Sequence, residues 1–316
     1  MEKDAKIFVA GHRGMVGSAL VRQLEAAGHR GLLFRGHGEL DLRRQAEVEA
    51  FFAAERPDYV FLAAAKVGGI NANRARRAEF LHENMLIQDN VIWSAFEHGV
   101  KKLCFLGSSC IYPRECPQPM REEQLLSGPL EPTNEGYAIA KIAGHKLCKY
   151  LGEQHGFKTV SLMPCNLYGA NDNFNLETCH VLSALVRRFV EAADNGLGLV
   201  TLWGTGAARR EFMHVDDMAA ATLFLMERRD EPEFINVGSG EDISIRDLAT
   251  LVAAAAGYQG AIHWDASMPD GMPRKLMDNS KLRQAGFVPS ITLEEGVRRS
   301  VAEYRALRRV GAQVVC

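Results

Sequence analysis

A doubly wound parallel α/β sheet followed by a smaller α/β region is what this chain predicts, on three observations. Apolar runs short enough to be strands alternate with longer helical patterns through the first half; a glycine-rich turn joins the first run to the first helix; and beyond about residue 165 the composition turns loop-rich. The strand candidates are continuous apolar runs rather than alternating ones, as expected where helices cover both faces of a sheet.

The first strand, Lys6 to Ala10, runs into Gly11-His12-Arg13-Gly14-Met15-Val16-Gly17, and a helical pattern continues from about Met15 to Ala27. Strand, Gly-x-x-Gly-x-x-Gly and helix in that order aim backbone N–H groups at a pyrophosphate. The first region is therefore predicted to be of Rossmann type, with Gly11, Gly14, Met15, Val16 and Gly17 around a dinucleotide. A second strand near Gly31 to Phe34 ends in Arg35-Gly36-His37-Gly38, where an acidic residue would mark an unphosphorylated ribose. Arg35, with Arg13 of the glycine turn, suits a 2′-phosphate and favours NADPH; solvated surface arginines are the other reading.

A helix near Arg44 to Ala54 and a turn at Pro57-Asp58 lead to a buried strand from Tyr59 to Ala65. It ends in Lys66-Val67-Gly68-Gly69, and Ala64 with its small neighbours lets the adenosine half of a cofactor lie against backbone. The proline-free stretch from about Ala75 to Glu97 places Leu81, Met85, Ile87, Val91, Ile92 and Phe96 at helical spacing. It predicts a crossover helix that, with the helix of Tyr137, also offers a face to a second copy of the chain.

The strand Leu103 to Leu106 opens into Gly107-Ser108-Ser109-Cys110-Ile111-Tyr112-Pro113, so Ser108 emerges at a carboxyl end, where parallel sheets bind ligands. Tyr137 and Lys141 lie four apart on a helix, which brings them to one face about 6 Å apart. The neighbouring ammonium is expected to draw the phenol down from its usual ~10 and make it a usable proton donor, with Ser108 holding a substrate oxygen.

That helix continues to about Glu153; Thr159 to Met163 reads as a strand, and Pro164-Cys165-Asn166-Leu167-Tyr168-Gly169 as an exit. The division is 1–165 for the cofactor, with later return segments, and 166–316 mainly for the substrate. The second region carries a helix from Ser183 to Ala193, a strand and turn from Val200 to Gly206, and the string Arg209 to Asp217. A strand and turn from Ile235 to Gly240 precede a helix capped by Ser244, and a last helix runs near Leu293 to Leu307. The tail from Val310 to Cys316 shows no chemistry.

A net charge of −2 without a basic run speaks against nucleic acid, and no apolar segment approaches the ~20 residues of a membrane span. The charged start is unlike a secretory leader, which places the chain in the cytoplasm. Seven cysteines, an odd number without Cys-x-x-Cys, argue against a disulfide framework and against a metal site.

Together the glycine turn, the Ala63-to-Gly69 strand end, Ser108 and the Tyr137/Lys141 pair resemble the extended short-chain dehydrogenase/reductase family of nucleotide-sugar enzymes. His12 to Gly17, Ala64 to Ile70, Gly107 to Pro113 and Glu131-Pro132-Thr133-Asn134-Glu135 are similar to the branch that epimerises and reduces GDP-4-keto-6-deoxy-D-mannose with NADPH. The resemblance implies Cys110 and His180 as the pair that moves protons at C3 and C5, and Tyr137 as the proton donor for reduction at C4. It also implies Pro164, Asn166, Leu167 and His180 at the cofactor, and Asn166, Arg188, Trp203, Arg210, Lys275 and Asp278 at a GDP-sugar. From the residues alone Cys110 equally fits a small buried hydrophobe, and Cys179 is a second thiol beside His180. A homodimer is the expected assembly. The chain departs from its relatives at His37, where a second basic residue is common, and the flanks 114–118 and 173–178 leave room for another GDP-keto sugar; a non-catalytic NADP-sensing protein is the reading of another class.

Overall fold

The structure, a computed structural model, describes residues 1–230, 233–268 and 270–309. Pro269 of the late loop and the Val310-to-Cys316 tail lie outside the described residues.

The first half alternates as its apolar runs require: β1 (Lys6–Ala10), α1 (Met15–Ala26), β2 (Gly31–Leu33), α2 (Gln45–Glu55), β3 (Tyr59–Leu62), α3 (Ile70–Ala75), α4 (Arg77–Glu97), β4 (Lys102–Leu106), α5 (Glu135–His155) and β5 (Thr159–Pro164). The stretch read as a helix from about Ala75 to Glu97 is α4, and the short α3 ahead of it is set off by Arg76 at φ −131° and ψ 45°. The second half contains β6 (Asn166–Tyr168), α6 (Val181–Asp194), β7 (Leu199–Trp203), β8 (Arg209–His214), α7 (Val215–Arg228), β9 (Ile235–Val237), β10 (Asp242–Ser244), α8 (Ile245–Ala256), β11 (Ala261–Asp265), β12 (Arg274–Lys275), α9 (Ser280–Gln284) and α10 (Leu293–Arg309).

Six strands form one parallel sheet in the order β2-β1-β3-β4-β5-β9. The order reverses between β1 and β3, and the crevice outside their carboxyl ends is where such sheets take a ligand. Alternate side chains feed two cores. Ile7, Val9, Cys104, Leu106 and Val160 pack on one face, over α1 and α7; Phe8, Ala10, Leu103 and Phe105 pack on the other, beneath α2, α4 and α5. Each buried side chain of that size contributes on the order of 1.5–3 kcal/mol, so continuous apolar strands are the expected solution for a sheet covered twice.

Beyond residue 165 a separate apolar core gathers Tyr168, Phe174, Leu185, Val186, Phe189, Leu248, Val252, Val297 and Tyr304 from β6, α6, α8 and α10. The chain does not stay there. Helix α7 packs on α1, Lys102 of β4 donates to Met226 O at 2.6 Å, and β9 then adds itself to the first sheet beside β5. Smaller sheets pair β10, β8 and β12, with β6 also on β8, and β11 with β7. Ser244 does cap α8, its side chain accepting from Asp247 N–H.

Candidate active site

Glycine at the start of α1 is needed for two different reasons. Gly11 sits at φ +85°, and a Cβ there would lie 2.7 Å from Ala64 N; a Cβ on Gly17 would lie 2.0 Å from Gly11 O. These two let strand end, turn and helix touch. Gly14, by contrast, would meet nothing nearer than 3.4 Å, and as the N-cap of α1 it leaves the first N–H groups without a side-chain cap. An open helix start with no Cβ in front of it fits a pyrophosphate. The adjoining loop is pinned by Asn84, whose Oδ1 accepts from Lys66 N–H at 2.8 Å and whose Nδ2 donates to Lys66 O at 3.0 Å.

At the ribose end the two arginines differ. Arg35 pairs with Glu55 at 2.5 Å and donates to Phe34 O at 2.7 Å, so its guanidinium is engaged by the protein. Arg13 enters none of the described ion pairs, and its guanidinium lies against Gly36, whose Cβ would be 3.3 Å from Arg13 Cζ. His37 lies 4.0 Å from Asp41, which Arg43 holds at 2.8 Å.

The carboxyl end of β4 carries the reactive groups. Ser108 caps a short 3-10 turn, its hydroxyl accepting from Cys110 N–H at 3.2 Å, and so faces Tyr137 and Cys110 together. Lys141, 3% exposed, donates to Leu106 O at 2.8 Å; its ammonium is 5.0 Å from the Phe105 ring centroid and 5.7 Å from that of Tyr137. Burial brings this lysine down to about 8. The expectation of a phenol drawn down by its ammonium is not met. Burial and then the neighbouring Cys110 push Tyr137 above its usual value, against the hydrogen bond with Ser108. The phenol therefore keeps its proton, which is what a donor to a reduced carbonyl needs.

Cys110 is placed by residues from two distant parts of the chain. Asn134, the N-cap of α5, donates to its Sγ at 3.2 Å, and Lys275 of β12 reaches it at 3.6 Å. Two donors, one of them a lysine amine, thus converge on the sulfur. The rival thiol has the opposite surroundings: burial and then Asp172 push Cys179 up. His180, the exposed N-cap of α6, lies near Lys275; desolvation and then the Lys275 charge hold its imidazole below the ordinary value. Lys275 thus bears on both members of the Cys110/His180 pair.

The other predicted positions spread outward from there. Pro164 ends β5; Asn166 and Leu167 lie on β6, and Asn166 Nδ2 donates to Glu211 O at 2.8 Å. Arg210 donates to Met272 O at 2.6 Å, and Arg188 to Thr201 O at 3.4 Å. Trp203, at the end of β7, is 58% exposed, so its indole is open to a partner ring. Asp278 is turned to the protein, accepting from Ser280 N–H at 2.8 Å and lying 3.6 Å from Arg121. The sequence reading assigns no role to Asn134 or Asn84. The signal was present for the first, a helix-capping residue just ahead of the Tyr137 helix, but not its reach to Cys110.

The buried lysine gives a direct prediction. A neutral amine is favoured in the folded protein, so Lys141 contributes stability that is complete above pH 10.5 and is lost as pH falls through 8. In urea unfolding of the cofactor-free protein, the parent should gain about 3 kcal/mol more than Lys141→Met over that interval. Equal gains would show that the lysine titrates normally.

Comparison with known proteins follows the same lines. The sequence profile described as "NAD dependent epimerase/dehydratase family" matches residues 7–238. GDP-L-fucose synthase 1 of Arabidopsis thaliana is 56% identical over 303 residues, covering 96% of this chain and 94% of that one. GDP-L-fucose synthase of Escherichia coli (strain K12) is 52% identical over 301 residues, covering 92% and 94%. Among solved structures, a GDP-L-fucose synthetase from Naegleria fowleri bound to NADP superposes with a TM-score of 0.90 at 27% identity, over 98% of this chain and 96% of that one. With its glycine turn, its Ser108/Tyr137/Lys141 cluster and this match from Ile7 to Gly238, the chain belongs to the NAD-dependent epimerase/dehydratase family.

Proposed function

We propose that this chain converts GDP-4-keto-6-deoxy-D-mannose to GDP-L-fucose, epimerising C3 and C5 and then reducing C4 with NADPH. One observation carries the reading: a thiol held by an amide and an ammonium stands two residues from Ser108 and beside the protonated Tyr137. Relatives named GDP-L-fucose synthase across nearly the whole chain supply the substrate.

Protons alpha to a ketone leave readily when the enolate oxygen is stabilised, and Ser108 and Tyr137 hold that oxygen by hydrogen bonds. Cys110 removes the proton on one face, and His180 returns one from the other. After epimerisation the same Tyr137 gives its proton to the C4 oxygen, with Lys141 keeping α5 against the strand end. NADPH, when bound, supplies the hydride to C4. Met15, Val16 and Gly17 at the start of α1, with Ala64, Pro164, Asn166 and Leu167, are the residues that hold it. Residues 1–165 serve the cofactor, while 166–316 mainly hold the GDP-sugar, through Arg188, Trp203, Arg210 and Lys275.

In deuterated water with the keto sugar and NADPH, the parent should consume NADPH and yield a fucose-configured product labelled at C3 and C5. Tyr137→Phe should slow NADPH oxidation by at least about 100-fold while leaving the exchange at least partly intact, since Ser108 still holds the enolate oxygen. Cys110→Ser should lose the exchange; exchange at the parental rate in that variant would sink the epimerase assignment, and NADPH oxidation only with another keto sugar would move the substrate.

Of the two arginines, Arg13, which enters none of the described ion pairs, is the one we assign to the 2′-phosphate. Arg13→Ala should weaken NADPH binding about tenfold in a fluorescence titration and leave NADH unchanged. An equal loss for both cofactors would place the arginine elsewhere.

The reading extends to a cytoplasmic homodimer. No described helix is long and apolar enough to cross a membrane, and the six described cysteines are free. Met85 and Trp93 on α4 with Ile139 and Tyr150 on α5 leave an apolar face exposed at 36–48%, suited to the same helices of a second copy. Sedimentation of the soluble cytoplasmic fraction at twice the 34.9 kDa chain mass checks both points; a species of single mass would remove the dimer.

A further inference from the structure

Two residues beyond Lys275, the cation beside Cys110, the backbone is gripped by a carboxylate that the chemistry above leaves without a task. Glu211 follows Arg210 on β8 and is 1% exposed. One carboxylate oxygen accepts from Gly240 N–H at 2.7 Å and the other from Met277 N–H at 3.0 Å. The fit is tight, since a Cβ on Gly238 would lie 2.2 Å from Glu211 Oε1. None of the described ion pairs includes Glu211. Around it are Asp242 of β10, taken up by Arg209 and Arg274, the Ser239 hydroxyl, and the Cys165 thiol of the link after β5. A dry carboxylate without a cation is costly to keep, and its two grips fall on separate segments.

One of those segments is the one that matters for the thiol. Met277 lies two residues beyond Lys275, and Lys275 itself pairs in register with Arg210, the neighbour of Glu211. On its other side the segment is held by Leu276 N–H donating to Gln118 Oε1 at 2.8 Å and by Met120 N–H donating to Leu276 O at 2.8 Å. The stretch containing Gln118 runs back to Cys110. Lys275 is thus strung between Glu211 and the Cys110 segment, with its ammonium 3.6 Å from Sγ. Besides Lys275, the groups facing Cys110 are Asn134 and Tyr137, and His180 faces Lys275.

We propose that Glu211 is a positioning residue for the proton-moving half of the site: by gripping the Met277 N–H it places Lys275, and through Lys275 it sets the reactivity of Cys110. The proposal rests on Cys110 as the epimerisation base. A protonated carboxyl is a weaker acceptor than a carboxylate and carries a proton that must be directed away from the N–H groups, so acidification weakens the grip. Burial pushes Glu211 up to about 7, its two N–H bonds opposing, and the grip therefore weakens just below neutrality.

Alkylation of Cys110 by iodoacetamide, followed by peptide mass spectrometry across neutral pH, reads this without sugar or NADPH. In the parent two deprotonations raise the rate, that of the thiol and that of Glu211, so the logarithm of the rate should climb with a slope clearly above one just below neutrality. Glu211→Gln should give a slope of one and a rate at neutral pH about tenfold lower. Equal rates and slopes in parent and variant would overturn the proposal. Should circular dichroism show Glu211→Gln unfolded, Lys275→Met takes its place: a slope falling to one from the steeper parental value supports the proposal, and a slope of one already in the parent overturns it. Loss of deuterium exchange in other variants leaves this readout unaffected, so failure of the epimerase reading and failure of the Glu211 assignment are separable.

Discussion

The bond from the Lys141 ammonium to the Leu106 carbonyl fixes the relation between α5 and the end of β4, and the site depends on it. A charge at 3% exposure is retained because it has a carbonyl and the faces of Phe105 and Tyr137 around it. A charged hydrogen bond of this kind is worth about 1.5–3 kcal/mol, which offsets part of the desolvation. The bond forms only if α5 lies close to its neighbours. Gly136, where a Cβ would be 2.7 Å from Arg77 O, and Gly144, where one would be 2.6 Å from the Phe105 ring, permit that approach. Tyr137, Asn134 and, through Asn134, Cys110 inherit their positions from it.

Lysine here acts as a fastening more than as an electrostatic lever on the phenol. Its distance from the ring and the weight of burial leave Tyr137 protonated, so the residue is prepared as an acid rather than as a base. The proposed epimerisation base is instead Cys110, where the donors are Asn134 and Lys275. The two groups differ in their surroundings: burial keeps the proton on the phenol, while the thiol is met by an amide and a lysine amine.

The first half of the fold was legible because burial on both faces leaves apolar runs that only strands of a covered parallel sheet need, and because the turn from β1 to α1 demands glycine at Gly11 and Gly17. The second half was less so. Helix α7 and strands β6, β8, β10 and β11 escaped, and the buried polar residues of β8 and α7 show why. Glu211, His214 and Asp217 look like surface residues in a string, yet each is buried and bonded, Asp217 taking Ser290 N–H at 3.0 Å and Ile291 N–H at 2.8 Å. Hydrophobic pattern cannot announce a core whose polar groups are satisfied by segments far along the chain. Cys110 is the same case at the site. Its partners stand 24 and 165 residues away, so resemblance pointed to it where spacing did not.

Gly69 donates its N–H to Thr178 O at 2.9 Å, and a Cβ there would lie 2.9 Å from Cys179 O. The loop after β3, which flanks the cofactor crevice, and the loop ahead of α6, which presents His180, are therefore built as one piece. Insertions or exchanged segments in the second loop must preserve a backbone surface that only a glycine in the first can meet. Diversification toward other sugars is thereby channelled to exposed positions such as 176 and 177, since Asn173 and Asn175 bond to Thr178 and Cys179 and belong to the seam itself, and chimeras that graft one loop without the other inherit a steric mismatch at the centre of the enzyme.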